Sequence, residues 1–400
     1  MDKIKMYIRS FHPIVWVLLT GTVMSRGSAT MTLPFLAIYL SRNMDISPVI
    51  IGITIGISPL MGTVGGFIGG YLSDRFGRKR VMLTALFAIA FVYLGFTLAS
   101  SPGWFILLNA LNGLSNSFFE PTSQALMGDL TDKKQRMKVY SLRYTAINIG
   151  ASVGPLLGAW LAFTSARLSF VITGSVYLLY AFALMYLMRK FAVGLSVHHE
   201  KETVKFSDAF RIFKNDKALR YLVLGIILVN VGYAQLDSNI SQFLQLNLAN
   251  GVVIFSVLLT INAVMVVVLQ MPVSHAAEKF TPMKSMIVGT LLMATGLLTF
   301  GFVNGWAMAI LAMVLMTLGE ILIFPSNSVL IDQLAPDHLR GTYFGAGQFR
   351  KIGSFLGPIF GGYLLAHVQS LVMFWLISMV VLISILFFAI GNRALRLRAR

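Results

Sequence analysis

Cysteine is absent from the 400 residues, which excludes disulfides, cysteine zinc sites and a cysteine nucleophile. That absence leaves the compartment open. Charge is scarce: Asp, Glu, Lys and Arg make up 12% of the chain, against about 25% in an average soluble domain. Acid is scarcer still, with 15 acidic residues against 32 basic ones. Long polar stretches are missing too. The longest, 189–218, leaves no room for a large soluble domain. No nucleotide P-loop, zinc histidine pattern or nucleophile elbow occurs, so an enzyme, ATP drive and a cofactor are not expected. His198, His199 and Glu200 could hold a metal, but they sit in that polar run and read as a solvated linker, so no metal is expected.

What is present is apolar. Hydrophobic residues make up 56% of the chain and come in runs. A bilayer core of about 30 Å needs about 20 apolar residues in a helix. Twelve segments qualify: 12–40, 48–71, 80–100, 103–128, 137–163, 167–188, 219–247, 251–275, 283–303, 305–331, 341–366 and 369–391. In lipid each must satisfy its backbone internally, so each is expected to be a helix. The first is too long for a signal-peptide core and no cleavage site follows it, so it reads as a retained span.

The net charge of +17 could suggest nucleic acid. Its distribution argues otherwise. With the N-terminus inside, inner segments hold 26 Lys and Arg and outer loops hold two, Arg42 and Arg167. Basic residues favour the cytoplasmic side, so both termini are expected there and no nucleic-acid partner is expected.

The chain also repeats. At a shift of 204 residues Asp74 falls on Glu278, Phe76 on Phe280, Arg80 on Lys284, Pro121 on Pro325 and Arg136 on Arg340. Parallel six-span repeats suggest a carrier that rocks one half against the other around a central site.

Between spans 2 and 3 runs Gly70-x-x-x-Asp74-Arg75-x-Gly77-Arg78-Lys79. A positive-inside turn explains its bases but not its carboxylate. The loop resembles the signature of the major facilitator superfamily, and span count, repeat, orientation and linker extend the resemblance over the whole chain. The resemblance implies that spans 1, 4, 7 and 10 line a central cavity and that span 2 faces span 11. Asp74 would then meet the positive N-terminal end of span 11 near Gly341 and latch the cytoplasmic side. Arg75, Arg78 and Lys79 would hold neighbouring carboxylates or anionic lipid. In span 5, Gly150-x-x-x-Gly154-Pro155-x-x-Gly158 is similar to the glycine-proline motif of exporting antiporters, with Ala159 in place of the usual last Gly. A fuller copy in span 11, Gly353 to Gly362, keeps plain helix packing open as the reading.

Seven ionisable residues fall within spans: Arg26, Glu120, Arg143, Asp237, Glu320, Arg350 and Lys351. A charge at mid-bilayer costs at least about 2.5–3.5 kcal/mol, so each is a functional candidate. Depth pairs Glu120 with Arg143 and Glu320 with Arg350, either as helix locks or as working ion pairs. The surroundings of Asp237 and Glu320 resemble drug:proton antiporters, where such acids bind protons and cationic drugs. Glu120, Asp237 and Glu320 are therefore the candidates for proton coupling. Arg26, Arg143 and Arg350 are the candidates for cavity or ion-pair roles. Arg143 is a departure, since some of those relatives carry an acid there. Phe35, Tyr39, Phe118, Phe119, Tyr144, Tyr233 and Met316 could line a drug site.

The expected fold is an all-α membrane protein of 12 transmembrane helices in two pseudo-symmetric six-helix bundles, 1–188 and 219–400, joined by a cytoplasmic linker, 189–218. The expected function is proton-coupled efflux of small amphipathic or drug-like molecules by alternating access. Proton-coupled uptake of a small solute and lipid flipping stay open as alternatives. The partners are a small-molecule substrate, protons and the lipid of a bacterial cell membrane, with the chain acting as a monomer.

Overall fold

The computed structural model describes residues 11–43, 48–164, 166–191, 214–236 and 239–398. Among them the regular structure is helical, in the order the hydrophobic runs anticipate. Spans 1 to 6 are the helices Pro13–Asn43, Pro48–Phe76, Arg78–Phe96, Pro102–Asp129, Arg136–Thr164 and Ala166–Lys190. Span 7 comprises Lys217–Tyr233 and Asn239–Asn247, and spans 8 to 10 are Gly251–Ala277, Pro282–Phe300 and Trp306–Leu334. Span 11 is Arg340–Gly347, a 3₁₀ turn Gln348–Arg350, and Lys351–His367. Span 12 is Ser370–Arg398.

Among the described residues, six helices are long and apolar enough to cross a membrane on length and composition alone: spans 3, 6, 8, 9, 10 and 12. Spans 7 and 11 are each divided into shorter helices. Span 7 departs from the single helix that the sequence suggests. A turn at Ala234–Leu236 interrupts it, and the Gln235 side chain donates to Val231 O (2.8 Å) and Gly357 O (2.9 Å). Gly361 makes room, because a Cβ there would lie 2.0 Å from Gln235 Oε1. Much of the linker, including His198 and His199, lies outside the described residues, as does Asp237.

The chain forms two compact units. One is Met1–Ala209 with Ala335–Gln348, and the other is Phe210–Leu334 with Phe349–Arg400. Their internal packing follows one plan. In the first unit span 1 packs on spans 5 and 6, span 2 on span 4, and span 3 on spans 4 and 6. In the second, span 7 packs on spans 11 and 12, span 8 on span 10, and span 9 on spans 10 and 12. Adding six to each span number converts the first set into the second.

The glycines explain the closest of these contacts. A Cβ on Gly150 would lie 2.5 Å from Val23 O, and one on Gly154 2.3 Å from Gly27 O. In the second unit, a Cβ on Gly353 would lie 2.1 Å from Ile227 O, and one on Gly357 2.7 Å from Val231 O. Ile227 and Val231 are the 204-residue partners of Val23 and Gly27. Each pair of glycines, one turn apart, thus lets the backbones of two spans meet, in both units alike.

Candidate functional site

The loop after span 2 is built around Asp74. Gly70 and Asp74 lie one turn apart on the same face of span 2. Gly70 allows the start of span 11 to approach, since a Cβ there would lie 2.1 Å from Gly341 O. Asp74 then caps that helix. Its carboxylate accepts from Gly341 N (2.9 Å), Thr342 N (2.6 Å) and Thr342 Oγ1 (2.6 Å), and its side chain is fully buried. These N–H groups belong to the first turn of Arg340–Gly347, where no intrahelical acceptor exists. Gly77 makes the turn into span 3 with φ of 90°, a conformation glycine adopts without steric cost.

Ion pairs extend from that cap. Arg78 bonds Asp74, donates to Ser73 Oγ (2.7 Å), and donates through Nε to Asp129 (3.1 Å). Asp129 also bonds Arg340, which donates to Asp337 (2.6 Å). Acids and bases thus alternate from Asp74 to Asp337. Of the three bases expected to hold carboxylates or anionic lipid, Arg78 holds carboxylates here. Arg75 is exposed, donates to Tyr71 Oη (2.8 Å) and lies over the Phe76 ring.

Deeper in the first unit, Arg143 Nη2 lies 3.5 Å from Glu120 Oε1. Depth along spans 4 and 5 brings the two together as expected. Arg26, the fourteenth of 31 residues in span 1, is exposed. On span 4, Asn109, Asn112 and Asn116 continue the stripe of Glu120 at helical spacing, and Asn116 Nδ2 donates to Asn112 Oδ1 (2.8 Å).

In the second unit Glu320 is the fifteenth of 29 residues in span 10 and only 1% exposed. Tyr233 Oη of span 7 donates to its Oε1 (3.1 Å), and Asn262 Nδ2 of span 8 donates to its Oε2 (2.7 Å). Asn262 Nδ2 also donates to Thr317 Oγ1 (3.0 Å). Tyr233 packs edge-on against Phe324 at 5.1 Å. Arg350 closes the 3₁₀ turn of span 11 and Lys351 opens the helix after it. Met316, expected as a lining residue, is 2% exposed and fills the space left by Gly296, so it is core. Phe118, Phe119 and Tyr144 are part-buried, while the side chains of Phe35 and Tyr39 lie outside the described set.

The model of the Major Facilitator Superfamily matches residues 18–351. The chain belongs to that superfamily. It is 34% identical to YqjV of Bacillus subtilis (strain 168), described as an uncharacterized MFS-type transporter, over 97% of this chain and 96% of that one. It is 27% identical to a Na(+), Li(+), K(+)/H(+) antiporter of Planococcus maritimus, over 88% of this chain and 90% of that one. It is also 27% identical to the multidrug resistance protein MdtH of Escherichia coli (strain SE11), over 83% and 81%. Among solved structures, the MFS transporter FucP in its outward conformation superposes with a TM-score of 0.78 at 15% identity, covering 96% of this chain and 99% of that one. The fold is therefore the major facilitator fold, with twelve transmembrane helices in two pseudo-symmetric bundles, and the protein is a membrane-embedded transporter.

Three residues of this major facilitator chain carry contacts that the sequence reading passed over. Asp129 bridges Arg78 and Arg340, and its one signal is an acid at the end of span 4 beside a basic loop. Asn262 reaches Glu320 from a mostly apolar span in which Asn262 and Gln270 are the two amides, and those amides are the available sign. Asp337 holds Arg340 from a turn that looks like ordinary loop.

Proposed function

We propose that the protein is a secondary active transporter that exports small amphipathic or drug-like molecules in exchange for protons, by alternating access. One observation carries the reading: a carboxyl group buried at mid-helix in span 10, to which Tyr233 and Asn262 donate. An ionisable group buried within a span is costly there and is a functional candidate by default. Such a group can take a proton on one side and release it on the other. Asp237 is the second proposed proton site and Glu120 the third, with Arg26, Arg143 and Arg350 as cavity or ion-pair residues. The exchange of protons against other solutes named for one relative, and the multidrug role named for another, support the same direction and class. The two halves, 1–188 and 219–400 about the linker 189–218, would rock around this site as a monomer in a bacterial cell membrane, with both termini cytoplasmic.

Inverted membrane vesicles test this. With an outwardly directed proton gradient, the lumen being acidic, cationic dyes should accumulate, and collapsing the gradient should release them. Proton-driven accumulation in right-side-out vesicles would support uptake. Movement of a labelled lipid between leaflets, with no dye accumulation, would support flipping.

A further inference from the structure

Span 10 carries a proline shortly after its buried acid. Its helix runs from Trp306 to Leu334 with Pro325 inside. Proline has no N–H, so the carbonyl four residues earlier, Ile321 O, lacks its helical donor. Ile321 is buried and follows Glu320 directly. Span 8 supplies the missing bond: Gln270 Nε2 donates to Ile321 O (3.2 Å). The same Nε2 donates to Ser274 Oγ, one turn along span 8 (3.0 Å). Gln270 is fully buried, and its Oε1 has no hydrogen-bond partner among the described residues. Turned over, the amide would set two oxygens against each other, so Gln270 serves Ile321 as a donor only.

Asn262, Val266 and Gln270 follow one another at single-turn spacing and share one face of span 8. From that face Asn262 Nδ2 donates to the Glu320 carboxylate (2.7 Å), and Gln270 holds the backbone of the next residue. Span 9 meets span 10 one residue before the acid, where a Cβ on Gly319 would lie 2.6 Å from Gly289 O. The turn of span 10 that carries Glu320 is thus fixed from two helices. A buried amide that leaves its own oxygen unmet is a poor choice for stability alone, and such a group calls for a reason. We infer that Gln270 is a positioning residue: it makes the bond that Pro325 cannot, and so sets where Glu320 stands against Tyr233 and Asn262. This inference rests on the reading of Glu320 as a proton site.

The first half shows what the amide adds. The 204-residue partners of Gln270, Ser274, Ile321 and Pro325 are Gly66, Gly70, Ser117 and Pro121. The proline recurs and the amide does not. Gly66 and Gly70 instead admit the first part of span 11, since a Cβ on Gly66 would lie 2.6 Å from Gln348 Cβ and one on Gly70 2.1 Å from Gly341 O. Ser117 O faces the backbone of span 2, where a Cβ on Gly69 would lie 2.9 Å from it. At these positions the donor accompanies the acid: the half with Asn116 has glycine where the half with Glu320 has Gln270.

A mutant cycle with Pro325→Ala tests the inference on the purified protein in lipid, because alanine returns an N–H to Ile321 O. Gln270→Met, similar in length but without the amide, should slow ethidium transport driven by a proton gradient about fivefold or more, and ethidium counterflow less than about twofold. Added to Pro325→Ala, the same change should slow either mode less than about twofold. The protonated-carboxyl infrared band that Glu320→Gln removes should move in Gln270→Met. It should stay in place when Gln270→Met is added to Pro325→Ala. A loss of the same size with and without Pro325, or an equal fall in both transport modes with an unmoved band, overturns the inference. An unchanged gradient response in Glu320→Gln, or no such band to remove, overturns the proton-site reading instead. The thermal midpoint, which Gln270→Met should lower only while Pro325 is present, still reports whether Gln270 serves the freed carbonyl. If Gln270→Met fails to fold, Gln270→Asn, one methylene shorter, runs the same cycle, and a loss there that is independent of Pro325 also overturns the inference.

Discussion

Replacing Asp74 by Asn keeps the side chain's shape and removes the charge from a helix cap that uses three donors. A hydrogen bond to a charged group contributes about 1.5–3 kcal/mol, and each 1.4 kcal/mol is about a tenfold change in an equilibrium. The conformation that contains this cap should lose roughly ten- to a hundredfold in population. Asp74→Asn is expected to insert normally and transport at about a tenth of the wild-type rate or less, measured as initial rate per copy in the membrane. Full activity would remove the latch from the mechanism. Arg143 offers a second test at this scale, because it pairs with Glu120 in partly buried surroundings. Removing one partner strands a charge, whereas removing both does not. Arg143→Met should therefore lower the thermal midpoint in detergent more than the double variant with Glu120→Gln does. Additive losses would mean the two side chains are not coupled.

Helix pairs are where the sequence was most and least legible. The repeat was readable because charged and proline positions recur at one shift, and those positions sit where the chain turns or packs. The glycine-proline motif was legible as a pattern but not as a role. Only coordinates reveal that Gly150 and Gly353 meet equivalent carbonyls in the two units. That equivalence favours packing over a directional marker. Gly150→Val and Gly353→Val should each destabilise their own unit by at least about 1–3 kcal/mol, the usual cost of overpacking. Limited proteolysis or a thermal shift in detergent measures it. Loss of export from Gly150→Val with unchanged stability would restore the motif as a direction signal. The break in span 7 was hidden, because Gln235 reads as one polar residue in an apolar run. Its effect depends on two carbonyls, one of them from span 11, that no local pattern encodes.

At the scale of the whole molecule, the duplicated scaffold and the unduplicated chemistry have to be reconciled. The packing plan is shared by the two units, yet Glu320 has Asn116 as its counterpart and Arg26 has Asn230. The halves are parallel repeats, so exchanging them does not interconvert the two open states. If Glu320 is the proton site, a proton bound with different energy in each state would drive the exchange. Gln at position 320 resembles the protonated acid in shape and charge but cannot lose a proton. Glu320→Gln should therefore abolish accumulation driven by a proton gradient. Exchange of labelled for unlabelled substrate across the same membrane, which needs no proton cycle, should continue within about threefold of wild type. Asp237→Asn should give the same split if Asp237 is the second proton site. Loss of both activities in Glu320→Gln would recast the carboxylate as a substrate contact or a structural group, and an unchanged gradient response in the double variant would place the coupling proton elsewhere.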